Sequence, residues 1–145
     1  MWVVKSKIKI MGGIPLIKKN KKPEIKNYVS WFEIPAIDFH RAVYFYCHIF
    51  DIEMVQNITD VNAMAFFPST SGIGGAIIAG QGSIPSDKGP LIYLNGGDDL
   101  NMVLHKVEEA GGRVVMPKTY INQEVGYFAI FIDSQGNKLA LHSKN

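Results

Sequence analysis

The chain repeats one sequence pattern 61 positions apart, in residues 31–46 and 92–107. Each copy reads as a short apolar segment, a turn, an aspartate suited to cap a helix, and an amphipathic stretch. The same spacing relates Gly75 to Gly136 further along the chain. Such a duplication predicts two copies of one folding unit, with the functional site expected between them.

Length and composition favour a single domain of 145 residues, of which 47% are hydrophobic. No apolar run approaches the roughly 18 residues that a membrane span needs. Lys5, Lys7 and Lys9 interrupt the apolar residues near the N-terminus, so a signal peptide is not expected. The single cysteine, Cys47, fits a reducing compartment, and we therefore expect a cytoplasmic protein.

The net charge of +2 is unevenly distributed. Residues 1–26 carry eight lysines against Glu24 alone, whereas the remaining residues carry a net charge of −5. This arm has no arginine and no regular aromatic residues, which argues against a nucleic-acid partner. We expect residues 1–27 to be a flexible extension, or a leader ahead of a start at Met11. The alternation in Val3–Ile10 also fits a short edge strand.

Residues 28–80 predict a strand, a helix and three further strands. Pro35 ends the first strand, Asp38 is a strong N-cap, and Asp51 suits a left-handed residue at the end of the helix. The predicted elements are a strand at 28–34, a helix from Asp38 to Asp51, a hairpin of 52–58 and 61–67 turning at 59–60, and a strand at 74–79.

Residues 91–143 repeat this order after a linker at residues 81–90, which is rich in Pro, Gly and Ser. The predicted elements are a strand at 91–95, a helix from Asp98 or Asp99 to Ala110, and strands at 113–116 or beyond Pro117, 126–132 and 138–142. Gly136 suits the positive φ of a turn at 133–137. We predict one α+β domain at 28–143, with two tandem βαβββ modules forming a curved, mostly antiparallel sheet with a concave pocket.

This duplication resembles the vicinal oxygen chelate superfamily, which includes glyoxalase I, bleomycin-resistance proteins and extradiol dioxygenases. Residues 38–46, DFHRAVYFY, are similar to the pattern D-L-x-R-A-x-x-F-Y that follows the first strand of the family. Residues 107–112, VEEAGG, also match, and residues 133–141, DSQGNKLAL, are similar to D-P-D-G-N-x-I-E-L before the last strand. The resemblance covers about residues 28–143 and is specific for the fold, whereas the fold hosts several chemistries.

The resemblance also implies where a metal would be held. In metal-using members, His, Glu or Gln side chains project inward from the first and last strand of each module. The corresponding positions here are Trp31, Ala79, Ile92 and Ala140. None of these side chains offers the lone pair that a divalent ion requires. We therefore expect no cofactor at the usual site, and a divalent metal only with displaced ligands.

Two polar residues lie one pleat away from these positions. Because side chains alternate along a strand, Glu33 shares a face with Trp31, and His142 shares a face with Ala140. Glu33 and His142 are candidates for an acid/base pair, or for two displaced ligands of a metal ion. The competing interpretation is that His142 is solvated and that Glu33 pairs with a lysine or caps a loop.

Strand aromatics supply candidate ligand contacts. They are Trp31, Phe66, Tyr93, Tyr127 and Phe131. Those that face the concavity would line a largely apolar pocket, which is typical of small-molecule sites. The alternative is that they form plain core between the sheet and the helices. We expect Trp31, Phe66, Tyr93 and Tyr127 to contact the ligand.

Three functions stay open. The first is a glyoxalase/bleomycin-resistance-like protein that binds a small apolar or aromatic molecule without the standard metal, with Glu33 and His142 orienting it or moving a proton. The second is a metal-dependent lyase, isomerase or dioxygenase that uses Glu33 and His142 as displaced ligands. The third is sequestration without turnover. The resemblance further implies a homodimer.

Overall fold

The structure is a computed structural model that describes Ile10, Met11, Ile14, Pro15 and residues 22–145. Most of the lysine-rich arm, including all of Val3–Ile10 except Ile10, therefore lies outside the described residues. The described part of the arm contains two short strands, β1 (Ile10–Met11) and β2 (Ile14–Pro15), which pair antiparallel. None of the helices among the described residues is long and apolar enough to cross a membrane.

The first module follows the order strand, helix and three strands. Its elements are β3 (Trp31–Ala36), α1 (Phe39–Phe50), β4 (Val55–Ile58), β5 (Asn62–Phe66) and β6 (Gly74–Gly80). The four strands lie in the order β3-β6-β5-β4, with β3 parallel to β6 and the other pairs antiparallel. The hairpin turns at Thr59, whose N–H donates to the Asn62 carbonyl at 2.8 Å, as predicted.

The second module has the same order and the same topology. Its elements are β7 (Tyr93–Asn95), α2 (Asn101–Leu104), β8 (Arg113–Asn122), β9 (Gly126–Ile132) and β10 (Lys138–Ser143). The strands lie in the order β7-β10-β9-β8, with β7 parallel to β10 and the other pairs antiparallel. The α+β fold with two βαβββ modules is confirmed, and each module forms its own four-stranded mixed sheet.

Local capping residues determine where α1 begins and ends. The Asp38 carboxylate accepts a hydrogen bond from the Arg41 N–H at 3.1 Å, which satisfies one of the unpaired amides in the first turn. Asp51 ends the helix in the left-handed region with φ 53°, and its N–H donates to the Cys47 carbonyl. Both caps were predicted from the sequence, and both are confirmed.

The second helix is shorter than predicted. We expected α-helix up to Ala110, but regular α-helix ends at Leu104. Beyond it, the Val107 N–H donates to the Leu104 carbonyl three residues back, which is 3₁₀ geometry. The N-cap is Leu100, while Asp99 still accepts the Asn101 N–H at 3.0 Å.

The apolar pattern of this segment nevertheless predicted its buried side. Residues Leu100, Val103, Leu104, Val107 and Ala110 are all buried. A hydrophobic repeat of about 3.6 residues identifies the side of a helical segment that packs against the core. Consecutive 3₁₀ turns keep the same residues on that side over a short stretch. The predicted packing is therefore present without a continuous α-helical series of hydrogen bonds, although the Ala110 N–H still donates to the Lys106 carbonyl.

One core joins the two modules, and a buried hydrogen bond crosses it. The Tyr46 hydroxyl, from α1, donates to Asp133 Oδ2, at the end of β9, at 2.6 Å, and both side chains are buried. Next to this bond, the rings of Phe45 and Phe131 lie with their centroids 6.1 Å apart. The helix of the first module thus packs directly against the sheet of the second.

The turn at residues 133–137 connects to the first module a second time. Asp133 Oδ1 accepts the N–H groups of Gln135 and Asn137 at 2.8 and 2.9 Å, which holds the turn in shape. Gln135 Oε1 then accepts the backbone N–H groups at positions 37 and 38, at 2.9 and 2.8 Å. Asn137 Nδ2 donates to the Pro35 carbonyl at 2.8 Å. This turn therefore fixes the junction between β3 and α1.

Two adjacent glycines in β6 accommodate two aromatic rings from β3. Gly74 pairs with Trp31 and Gly75 pairs with Phe32, on opposite faces of the sheet. A Cβ on Gly74 would lie 2.9 Å from the Trp31 ring, and a Cβ on Gly75 would overlap the Phe32 ring. Each ring therefore lies directly over a residue that lacks a side chain.

Gly75→Ala should lower the free energy of unfolding by about 1–3 kcal/mol, because the new methyl group overpacks the core against Phe32. Gly74→Ala is the matched control, since Trp31 is partly exposed and its ring can move away. Chemical denaturation measures both. The double variant Gly75→Ala/Phe32→Leu should recover part of the loss, and equal stabilities of wild type and Gly75→Ala would contradict the packing described here.

Tyr46→Phe should cost about 1–3 kcal/mol of unfolding free energy, because it removes a buried donor from Asp133. Tyr44→Phe, at an exposed position of the same helix, should change stability by less than about 0.5 kcal/mol. Burial, and then the Asp133 charge, raise the pKa of Tyr46 well above its usual value.

A raised pKa favours the protonated form in the folded state, so this contribution is complete below about pH 10 and is lost as the pH rises further. The decline in stability at alkaline pH should be shallower in Tyr46→Phe than in wild type. Denaturation midpoints from pH 8 to 11 test this, and parallel curves would contradict it.

Candidate functional site

Each sheet has one face against the helices and one face turned away from them, which we call the open face. In β3, Phe32, Ile34 and Ala36 face the core, so Trp31 and Glu33 lie on the open face. This placement follows from the burial of alternate residues along the strand. It agrees with the predicted shared face of Trp31 and Glu33.

Trp31, Phe66 and Glu33 form one group on the open face of the first module, which we call the aromatic platform. The Trp31 indole lies over Gly74, and its centroid is 6.2 Å from that of the Phe66 ring. Its Nε1–H donates to Glu33 Oε1 at 3.4 Å, a long hydrogen bond. Trp31 is 42% exposed, so the platform presents an aromatic surface with a carboxylate beside it.

The second module contributes an open cleft of about 650 Å³, which we call the second-module cleft. Its lining residues are Tyr93, Leu94, Asn95, Gly97, Ile121, Val125, His142, Ser143 and Lys144. Two of the residues expected from the sequence, Tyr93 and His142, therefore lie in the same cleft. Tyr93 is 53% exposed.

Two contacts hold the β8–β9 hairpin against the end of β10. His142 Nε2 lies 2.6 Å from the Val125 carbonyl oxygen. Since a carbonyl only accepts, Nε2 carries a proton and donates it to this oxygen. The Lys144 ammonium donates to the Glu124 carbonyl. His142 therefore positions one wall of the second-module cleft.

Tyr127 lies elsewhere. It pairs with Ser143, and its ring packs against the core on the helix side of β9. The Tyr120 ring is 5.4 Å away, and Lys118 Nζ lies 4.5 Å from the centroid of the Tyr127 ring, in a cation–π contact. Its neighbour Phe128 pairs with His142 instead. The structure thus places Tyr127 apart from Tyr93 and His142.

Lys118 also binds Asp99 near the start of α2. The Lys118 ammonium lies 2.8 Å from Asp99 Oδ1, which also accepts the Asn101 N–H. These hydrogen bonds lower the pKa of Asp99. We regard the pair as structural, because it ties β8 to the segment that leads into the second helix.

Glu33 and His142 belong to different groups. Glu33 contacts Trp31 on the aromatic platform, whereas His142 lines the second-module cleft, whose lining does not include Glu33. In residues 22–145, no three His, Cys, Asp or Glu side chains are grouped as metal ligands would be. The described arrangement therefore does not show the acid/base pair that the sequence suggested.

The four positions inferred for the family's metal ligands divide between the two faces. Trp31 and Ala140 lie on the open face. Ala79 pairs with the buried Ala36, and Ile92 packs against the core, so both belong to the helix side. Residues 61 positions apart therefore lie on opposite faces in these strands, so the correspondence between the two modules is shifted there by one residue. The residues that adjoin Ala79 and Ile92 and lie on the open face are Ile78 and Tyr93. The side chains at the four inferred positions do not fit a divalent ion.

Several residues of the second-module cleft were not predicted from the sequence. Asn95 is the last residue of β7, and its Oδ1 accepts the Gly97 N–H at 2.9 Å. The run Asn95-Gly-Gly97 is a turn signal that could have marked this position. Ile121 and Val125 enter the cleft because the β8–β9 hairpin folds over the end of β10, a long-range contact with no local sequence signal.

Comparison with solved structures gives the same fold. The antibiotic-binding protein TnmS3 from Streptomyces sp. CB03234 has a TM-score of 0.62 and 18% identity, covering 85% of this chain and 100% of that one. The hypothetical protein SA1046 from S. aureus has a TM-score of 0.59 and 21% identity, covering 83% and 95%. The fosfomycin resistance protein FosX from Listeria monocytogenes has a TM-score of 0.62 and 18% identity, covering 84% and 94%.

A comparison with curated protein sequences finds no significant match. The profile described as Glyoxalase/Bleomycin resistance protein/Dioxygenase superfamily matches residues 28–141, which is most of the chain. This match agrees with the two βαβββ modules and with the solved structures of the same fold. The chain therefore belongs to the glyoxalase/bleomycin resistance protein/dioxygenase superfamily.

Proposed function

We propose that this protein binds a small aromatic or apolar molecule on the aromatic platform, without the metal ion that the family's usual positions would hold. The observation that carries the proposal is the Trp31 indole, held over Gly74 beside Phe66 and partly exposed on the open face. An antibiotic-binding protein among the solved relatives is compatible with a binding role.

The platform combines an apolar contact with one polar group. Stacking on a fixed aromatic ring contributes about 0.5–1.5 kcal/mol beyond the burial of apolar area. Glu33, held beside the indole N–H, would accept a hydrogen bond from a ligand hydroxyl or amine and so orient it. We propose binding rather than turnover, because Glu33 and His142 belong to separate groups of side chains.

Trp31→Leu should weaken the binding of 2-naphthol, a neutral bicyclic aromatic probe, by at least about ten-fold as measured by calorimetry. The stacking surface is lost while the side chain stays apolar. Gly74→Ala should weaken binding to a smaller extent, because its methyl group displaces the indole. Tyr44→Leu, an exposed aromatic on α1, is the matched control. Unchanged affinity in Trp31→Leu, or no binding by wild type, would refute the platform as the site.

We further propose that the chain forms a homodimer through the outer edge of β4, which is free of a partner strand among the described residues. All four residues of β4 are exposed and uncharged, including Val55 and Ile58. The corresponding edge strand of the second module, β8, carries Pro117 and several register shifts, both of which discourage edge pairing. The outer edges of β4 and β8 thus differ, and of these two strands β4 is the one suited to pair with a second copy. The single cysteine of the chain, Cys47, fits a reducing compartment, and we propose that this compartment is the cytoplasm.

The outward-facing backbone groups of β4 identify the contact. The Thr59 N–H bonds to the β5 side, so Gln56 and Ile58 direct their N–H and C=O groups to the free edge. Ile58→Lys should convert the dimer into a monomer in light scattering, because charge at an edge opposes pairing. Val115→Lys on β8 should leave the mass unchanged, and a monomeric wild type would refute the proposal.

A further inference from the structure

We infer that the second-module cleft is a separate binding site for an aromatic carboxylate. The inference goes beyond the proposed function because it uses none of the platform residues. It rests on the shape of the cleft, the hydrogen-bond donors that remain free in it, and the charges of its lining. The assigned partners are Tyr93 for the ring, and Asn95 and Lys144 for the carboxylate.

The walls of the cleft are apolar and come from two different parts of the module. The exposed Tyr93 ring lies on β7, while Ile121 and Val125 come from the β8–β9 hairpin, each 41% exposed. His142 fixes the hairpin wall through the Val125 carbonyl. A planar ring can therefore gain contact on the Tyr93 side and on the aliphatic side.

Two side chains of this site, Asn95 and Lys144, have N–H donors without a partner among the described residues. Asn95 uses its carbonyl oxygen to accept the Gly97 N–H, so its amide NH₂ remains to donate to a ligand. The Lys144 ammonium bonds to one carbonyl, that of Glu124, and carries two further N–H donors. The Ser143 hydroxyl is already used, since it accepts the Leu100 N–H and donates to Asn145.

The charge of the lining selects the ligand. The nine lining residues include Lys144 and His142 but no Asp or Glu. Two acidic residues adjoin the lining in sequence, Asp98 after Gly97 and Glu124 before Val125, and neither is among the lining residues. Glu124 enters the contacts of the cleft through its backbone carbonyl. Donors, a cation and apolar walls together favour a ligand with an aromatic ring and a negatively charged oxygen group, which is a carboxylate in its simplest form.

Asn95→Asp is the decisive variant, because it preserves the oxygen that accepts the Gly97 N–H and replaces the NH₂ donor by a negative oxygen. Wild type should bind 1-naphthoate in calorimetry at least about five-fold more tightly than 1-naphthalenemethanol, its neutral analogue. Asn95→Asp should lose at least about ten-fold in 1-naphthoate affinity and should bind the cation 1-naphthylmethylammonium more tightly than wild type does.

Lys144→Met should weaken 1-naphthoate binding by about two- to five-fold, because an exposed cation is screened by solvent. Lys138→Met removes the same charge from the other end of β10 and should have no effect. Equal affinities for the carboxylate and the alcohol, or 1-naphthoate binding that is insensitive to Asn95→Asp, would overturn the inference.

The platform variant separates this inference from the proposed function. Trp31→Leu should leave 1-naphthoate binding unchanged while it weakens 2-naphthol binding. If Trp31→Leu abolishes both, 1-naphthoate binds at the platform and the cleft assignment is wrong. If 1-naphthoate still binds and 2-naphthol is unaffected by Trp31→Leu, the cleft stands and the platform proposal fails.

Discussion

The buried hydrogen bond from Tyr46 to Asp133 is the interaction on which the rest of the structure depends. It joins the helix of one module to the last turn of the other inside a single core. Asp133 also holds its own turn, from which Gln135 reaches the N-terminus of α1. Because a buried carboxylate is costly without donors, this contact specifies one relative placement of the modules. The strand that carries Trp31 and the strand that carries His142 are both anchored to this turn.

The glycine pair in β6 makes room for one aromatic ring on each face of the sheet. On the core face, Gly75 leaves room for the Phe32 ring, which packs with the interior aromatics. On the open face, Gly74 supports the Trp31 indole, which stays available to a ligand. A side chain at either position would displace a ring, so the same absence of a Cβ shapes the core on one face and the proposed binding platform on the other.

The family scaffold is retained, while the side chains at the four positions inferred for its metal ligands offer no ligand atoms. The caps, the strand order and the turn at 133–137 all preserve the two βαβββ modules. The open faces carry Trp31 and Phe66 in one module, and Tyr93 and His142 in the other. A fold of this kind hosts several chemistries, so function has to be argued from these groups of side chains. Their geometry supports binding surfaces in both modules.

The sequence by itself determined the two modules, both caps of α1, the hairpin at Thr59 and the turn that contains Gly136, because each depends on residues a few positions apart. The alternation of side chains along each strand also indicated which residues share a face of the sheet. It did not indicate which of the two faces packs against the core. The structure places Tyr127, and not its neighbour Phe128, on the helix side of β9. Only the tertiary structure decided that Glu33 lies beside Trp31, that His142 lies beside the Val125 carbonyl, and that a cleft forms around Asn95 and Lys144. These features depend on strand register and on the hairpin folding over β10, which are long-range contacts without a local pattern.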